Sequence, residues 1–181
     1  MLSRLLLTIL GVLASAALAQ NPGQLAHEFT LVNKNGQVVR MDDFKDQAIV
    51  LNAWATWCSF CIDEIPLFQQ VHNEINIDKI QITFLLINLG ENADHALKFL
   101  DEQVTTNLLT LFSPTKAQLN NYPNVKFDSS QNLLAGNYRV RAMPTTFFIG
   151  DDGIISSVKV GPITADEMRD HLSSLGVEWS P

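Results

Sequence analysis

Apolar and polar positions change their spacing several times along this chain, and each change marks an element. Residues 27–32, His-Glu-Phe-Thr-Leu-Val, alternate as a half-buried strand does. A polar turn at 33–36 ends in Gly36, and residues 37–40 return as a second strand, so the pair predicts a hairpin. Residues 41–45 read as a short helical turn or loop. Residues 48–54 are nearly all apolar, the pattern of a central strand covered on both faces. A helix is predicted from Cys58 to about Asn76. Pro66 lies inside it, where a proline removes one hydrogen bond and kinks the axis. Residues 80–88 form the next apolar run, and Asn92 can cap a helix running to about Val104. Strand, helix, strand, helix in that order predicts a parallel central pair joined by a right-handed crossover.

The pattern weakens downstream. Leu108, Leu109, Leu111 and Phe112 are apolar, Ser113-Pro114 interrupts, and 115–121 predicts one or two helical turns. Residues 124–127 read as a short strand and 131–138 as a short helix. Residues 145–149 predict a strand, 150–153 a hairpin turn, and 154–160 its partner strand. Thr164 and Glu167 make a capping box that opens a last helix to about Leu175. The chain carries no repeat, low-complexity tract or second domain.

The first residues set the compartment. Met1-Leu2-Ser3-Arg4 is a short basic start, residues 5–18 are apolar or small, and Ala17-Leu18-Ala19 is a cleavage signature. Residues 1–19 therefore predict a signal peptide cut after Ala19. A retained membrane anchor is the alternative, although the run falls short of the roughly 20 residues a span needs. Either way the protein is expected outside the cytoplasm, in the periplasm or its equivalent. Residues 20–26 read as a polar leader, expected to be poorly ordered, and 27–178 as one domain. The length of 181 residues suffices for one real core. A net charge of −7 without any Lys/Arg run argues against nucleic acid, whose binding needs clustered basic residues.

The chemistry concentrates in one place. The two cysteines of the chain, Cys58 and Cys61, follow the apolar run directly and open the predicted helix. Helix N–H groups and the helix dipole favour negative charge there, so a thiolate at Cys58 is favoured, and the thiolate is the species that attacks disulfides. The spacing lets Cys61 reach Cys58 within one turn, so the pair can close into a disulfide and reopen. A zinc site needs about four ligands. There is no second cysteine pair, and His27, His72, His95 and His171 are scattered without ligand spacing. No metal and no cofactor is expected.

The run Asn52-Ala53-Trp54-Ala55-Thr56-Trp57-Cys58-Ser59-Phe60-Cys61, with Glu64 and Pro66 after it, resembles the extracytoplasmic TlpA/ResA branch of the thioredoxin superfamily. A second block, Tyr138-Arg139-Val140-Arg141-Ala142-Met143-Pro144-Thr145-Thr146-Phe147-Phe148-Ile149, carries the same resemblance and continues through Asp152-Gly153 to Val160-Gly161. It covers roughly residues 24 to 176 and is weakest between about 104 and 125. It implies an α/β thioredoxin fold, a central mixed sheet flanked by helices, with an N-terminal β-hairpin extension and an insertion near 105–121. It also implies a thiol–disulfide oxidoreductase that exchanges disulfides with protein partners, acting as a reductant, in roles such as cytochrome c maturation. A reductant in an oxidising compartment must be recharged, which implies a membrane electron donor. The protein is expected to act as a monomer.

Cys58, nearer the helix start, is the candidate nucleophile and Cys61 the resolving thiol. The resemblance implies a cis Pro144 packed beside the cysteines, with the backbone of Met143 offered to an extended substrate; an ordinary trans proline is the alternative. Trp57 is expected to shield the sulfurs and contact partners, whereas Trp54 reads as core. Glu64, one turn after Cys61, matches an acidic residue that affects thiol ionisation in ResA-like proteins. The competing reading is a solvated helix-start glutamate, the role expected of Asp63. Asn52 stands where cytosolic thioredoxins carry a buried acid. It cannot act as a base and should hydrogen-bond locally. Phe60 replaces the proline that many relatives carry before the second cysteine. Two other functions fit the residues less well. A peroxiredoxin-type peroxidase usually has proline seven positions before its cysteine, where this chain has Leu51. A Sco-type copper-delivery protein uses a wider Cys-x-x-x-Cys and a distal histidine, and no histidine lies near Met143.

Overall fold

The computed structural model describes residues 21–75 and 81–180. The predicted signal peptide and the first residue of the strand expected at 80–88 lie outside the described residues. Seven strands form one mixed sheet. They are β1 (Thr30–Asn33), β2 (Val38–Arg40), β3 (Ala48–Trp54), β4 (Ile82–Asn88), β5 (Leu109–Phe112), β6 (Thr145–Ile149) and β7 (Ile155–Val160). Their order across the sheet is β2-β1-β5-β4-β3-β6-β7. The helices are α1 (Ser59–Glu74), α2 (Ala93–Gln103), α3 (Lys116–Asn121) and α4 (Ala165–Ser173), with a single 3₁₀ turn at Met41–Phe44 and a π-helical turn at Asn132–Asn137.

β3 is parallel to β4 with Asn52 opposite Leu86, and antiparallel to β6 with Asn52 opposite Thr146. It is therefore the central strand that its continuous apolar run predicts, and every one of its residues is buried. Alternation along β3 feeds two cores. Val50 and Trp54 face the layer of α1, α2 and α4, where Phe68, Leu100, Met168 and Leu172 meet them. Ile49, Leu51 and Ala53 face the opposite layer, where Phe29, Leu134 and Tyr138 close the sheet. Full burial of a side chain such as Phe68 contributes about 1.5–3 kcal/mol.

Three expectations differ from the structure. The strand expected at 124–127 does not form. That polar segment has no ladder partner, and the next residue, Asp128, bonds β1 instead: its N–H donates to the Thr30 carbonyl at 2.9 Å, and its carboxylate accepts from the Thr30 N–H at 2.7 Å. The strand of this region is β5, inside the stretch read as an insertion. It pairs parallel with β4 and antiparallel with β1, which is how the N-terminal hairpin joins the sheet. Residues 21–26, expected to be loose, are tied down. Gly23 and Ala26 donate to the carbonyls of Ile155 and Gly153, and Ile155 donates back to Gln24.

Candidate active site

The site sits where β3 ends and α1 begins. Between them Ala55–Cys58 makes a tight turn, with the Cys58 N–H donating to the Ala55 carbonyl at 3.2 Å. Cys58 is the N-cap of α1 in an extended conformation, and its Sγ accepts from the Cys61 N–H at 3.2 Å. The same N–H also donates to the Cys58 carbonyl at 3.1 Å, so the sulfur shares a first-turn helix N–H and sits at the positive end of the helix dipole, both of which stabilise a thiolate. Cys58 and Cys61 are joined in a disulfide, with Cα atoms 5.3 Å apart. Cys58 retains 7% exposure and Cys61 none, so only Cys58 can be approached from solvent. Trp57 and Phe60 stand out beside them at 66% and 59% exposure, while Trp54 is fully buried.

One turn further along α1 lies a polar cluster inside an apolar layer. Glu64, in the second turn of α1, is 4% exposed, which does not fit the solvated reading. Its Oε1 accepts from the Asn52 Nδ2 at 2.7 Å, and its Oε2 accepts from the Ile163 N–H at 3.2 Å. Burial pushes the Glu64 carboxyl up to about 7, against the pull of these two hydrogen bonds and of the Lys159 charge. A carboxyl poised near neutrality can accept or give a proton at physiological pH. Asn52 also donates to Thr146 Oγ1 at 3.0 Å, so the strand asparagine bridges α1 and β6. Its Oδ1 has no partner among the described residues. Lys159, opposite Thr146 on β7, is paired with Glu167 at the start of α4. Asp63 is exposed.

The Met143–Pro144 peptide is cis. The Pro144 carbonyl accepts from the Gly161 N–H at 2.9 Å, and Thr145 Oγ1 donates to the Ala142 carbonyl at 2.8 Å. Among the described residues no hydrogen bond occupies the backbone N–H or carbonyl of Met143. Trp57, Cys58, Phe60 and Met143 line one groove of about 420 Å³. The fold thus brings Trp57, Cys58 and Met143 to one surface, while Cys61 and Glu64 are buried.

One residue of the site escaped the sequence reading. Glu91, in the loop after β4, accepts from the Thr56 N–H at 2.8 Å and from Thr56 Oγ1 at 2.5 Å. Asn88 Nδ2 donates to the same carboxylate at 2.8 Å, and the Glu91 N–H donates to Asn88 Oδ1 at 2.9 Å. Burial pulls the Glu91 carboxyl upward, but the Thr56 and Asn88 hydrogen bonds outweigh it and hold it below its ordinary range. Glu91 thereby fixes the turn that presents Cys58. Thr56 and Glu91 lie 35 positions apart, so local pattern could not pair them. The available signal was the position of the Asn88–Glu91 loop at the carboxyl end of a parallel strand, where sites of open α/β sheets form.

Among the described residues no group of three or more His, Cys, Asp or Glu is arranged to hold a metal ion, and no helix is long and apolar enough to cross a membrane. The model of the AhpC/TSA family matches residues 22–158. The thiol-disulfide oxidoreductase ResA of Geobacillus thermodenitrificans is 28% identical over 153 residues, covering 84% of this chain and 77% of that protein. ResA of Bacillus subtilis is 26% identical over 151 residues, covering 83% and 74%. A crystal structure described as a thiol:disulfide interchange protein DsbE from Chlorobium tepidum superposes with a TM-score of 0.66 at 25% identity, covering 87% of this chain and 100% of that one.

Proposed function

The chain belongs to the AhpC/TSA family, and from that premise we propose that it is an extracytoplasmic thiol–disulfide oxidoreductase acting on protein partners, as a reductant. The observation that carries this reading is the Cys58–Cys61 disulfide at the N-terminus of α1, with one sulfur accessible and one enclosed. Reduced Cys58 attacks a sulfur of the partner disulfide as thiolate, forming a mixed disulfide and expelling one partner thiolate. Cys61, losing its proton to Glu64, then attacks Cys58 Sγ. The second partner thiolate leaves, the partner has gained two electrons, and the pair is oxidised. Trp57, Met143 and Pro144 hold the partner segment, the free backbone groups of Met143 pairing with it as a strand edge would. Likeness to ResA supports a place in cytochrome c maturation or a similar reduction outside the cytoplasm. Recharging then requires a membrane electron donor, and the protein acts as a monomer.

Residues alone do not set direction, since thioredoxin folds span potentials from about −270 to about −120 mV. Equilibration of the mature protein in redox buffers, read by thiol alkylation, tests it. A potential near or below about −270 mV supports the reductant, and one near about −120 mV makes the protein an oxidant. The family match favours a second reading, a thiol peroxidase. Rapid consumption of peroxide by the reduced protein, with Cys58 oxidised before Cys61, would establish it instead.

A further inference from the structure

The ridge Val140–Ala142 separates two grooves of about 420 Å³ each. The first runs past Cys58 between Phe60 and Met143. The second lies across the ridge, over Phe147 and Val158, and ends at Val160. Trp57, Phe60 and Val160, three of the most exposed large apolar side chains among the described residues, border them. The charged residues that line the grooves are Arg141, which reaches both, and Arg139 in the second; no aspartate or glutamate lines either one. This is a local inversion of charge in a chain of net −7. Neither arginine has a carboxylate partner among the described residues, although one nitrogen of Arg141 donates to the Ala135 carbonyl at 2.9 Å. Arg139 holds φ at +54°, a conformation that glycine or asparagine adopts with less strain.

We propose that the two grooves form one docking surface for an extended, acidic and apolar segment flanking the reactive cysteine of a partner protein. The inference rests on the oxidoreductase reading and names the substrate class of that same site. Apolar side chains of the segment fill the space between Phe60 and Met143 and the floor near Val160. Carboxylates of the segment meet Arg139 and Arg141, which steer its approach and penalise a basic segment. The surface is continuous with the accessible sulfur, so docking places the partner's cysteine against Cys58.

The test uses the reduced protein and peptides of one length, each carrying a single cysteine as a mixed disulfide with a small thiol. One has acidic and apolar flanks, one neutral polar flanks, one lysine flanks. Each exchange rate is divided by the rate with a small uncharged disulfide, which is too short to span the grooves. The acidic–apolar peptide should react roughly tenfold faster than the lysine peptide at low salt, with the gap narrowing at high salt. The double variant Arg139→Glu/Arg141→Glu should invert that order. Phe60→Ser should reduce the advantage of apolar flanks without inverting the charge preference. Equal relative rates for all peptides, or a preference that survives charge reversal, would overturn the docking surface while leaving the oxidoreductase intact. Binding of the protein to anionic lipid vesicles, lost on charge reversal while peptide rates stay indifferent, would assign the grooves to a membrane surface and overturn it too. Failure to exchange even with the small disulfide would overturn the oxidoreductase reading and this inference with it.

Discussion

Two glutamates flank the cysteine turn and behave in opposite ways. Glu64 lies on the buried face of α1, almost without exposure, with two hydrogen bonds to its carboxylate and a lysine charge nearby; its carboxyl is nevertheless pushed up to about 7. Glu91 lies in a half-buried loop with three donors on its carboxylate, and it is held below its ordinary range. Desolvation is the largest influence on both. The outcome turns on how completely the charged form is re-solvated by protein donors. Three donors and partial access to water suffice at Glu91, while two donors in an apolar layer do not at Glu64. One carboxyl is therefore raised toward neutrality, and the other keeps its charge and holds a turn.

The largest effect that could break this contrast is on stability. Glu64 binds its proton more tightly folded than unfolded, so the oxidised protein should lose stability as pH rises from about 4.5 toward about 7. At about 1.4 kcal/mol per pKa unit, the loss is at most about 3.5 kcal/mol. Glu64→Gln should flatten that part of the curve and be the more stable protein at pH 8. Urea unfolding of oxidised wild type and variant at several pH values measures it, and parallel curves for the two proteins would remove Glu64 as the titrating group. Glu91 has the reverse sign. Its contribution is present above its unfolded pKa and is lost as pH falls through the lower folded value.

A smaller effect is expected at Glu91 itself. Glu91→Ala leaves the Thr56 N–H and the Asn88 side chain without their partner and should cost about 1–3 kcal/mol. Glu91→Gln, which keeps an acceptor in place, should recover part of it. A Glu91→Ala protein as stable as wild type in thermal unfolding would show that the turn stands without the clamp.

The smallest effect is the most local to the chemistry. Removing the Glu64 charge should favour the cysteine thiolate and make the potential less reducing. Thiolate absorbance against pH, beside the redox titration of Glu64→Gln, reads both. If neither moves, Glu64 tunes folding but not the thiols.

Much of this arrangement was legible in the chain. β3, α1, β4, α2, the β6–β7 hairpin and α4 follow from apolar period, caps and turn residues, because each is long or punctuated enough for local pattern to decide. β5 was not legible. Its four residues, Leu-Thr-Leu-Phe, are too few for a local period to decide, and pairing with β1 and β4 settles the matter. Residues 124–127 were misread as a strand for the converse reason: Val125 and Phe127 alternate with polar residues, but the segment joins no ladder and the Val125 N–H turns back to the Tyr122 carbonyl. At the site, the cysteines, the cis Pro144 and the neighbouring Glu64 came from two motifs. The burial that raises Glu64 comes from tertiary packing, and the hydrogen bonds that oppose it come from Asn52 and from Ile163, the latter 99 positions away. The Glu91 clamp likewise depends on a loop contact that no local period encodes.

The account stands on the division of labour between the two sulfurs. Trapping measures it most directly. Reduced Cys61→Ser and Cys58→Ser proteins are mixed with a partner disulfide, and the products are separated without reductant. Cys58 is the accessible sulfur at the helix N-cap, so Cys61→Ser should accumulate a stable mixed disulfide, while Cys58→Ser should form none and lose exchange. A mixed disulfide that accumulates only in Cys58→Ser would contradict the assignment and place the attacking thiol at Cys61.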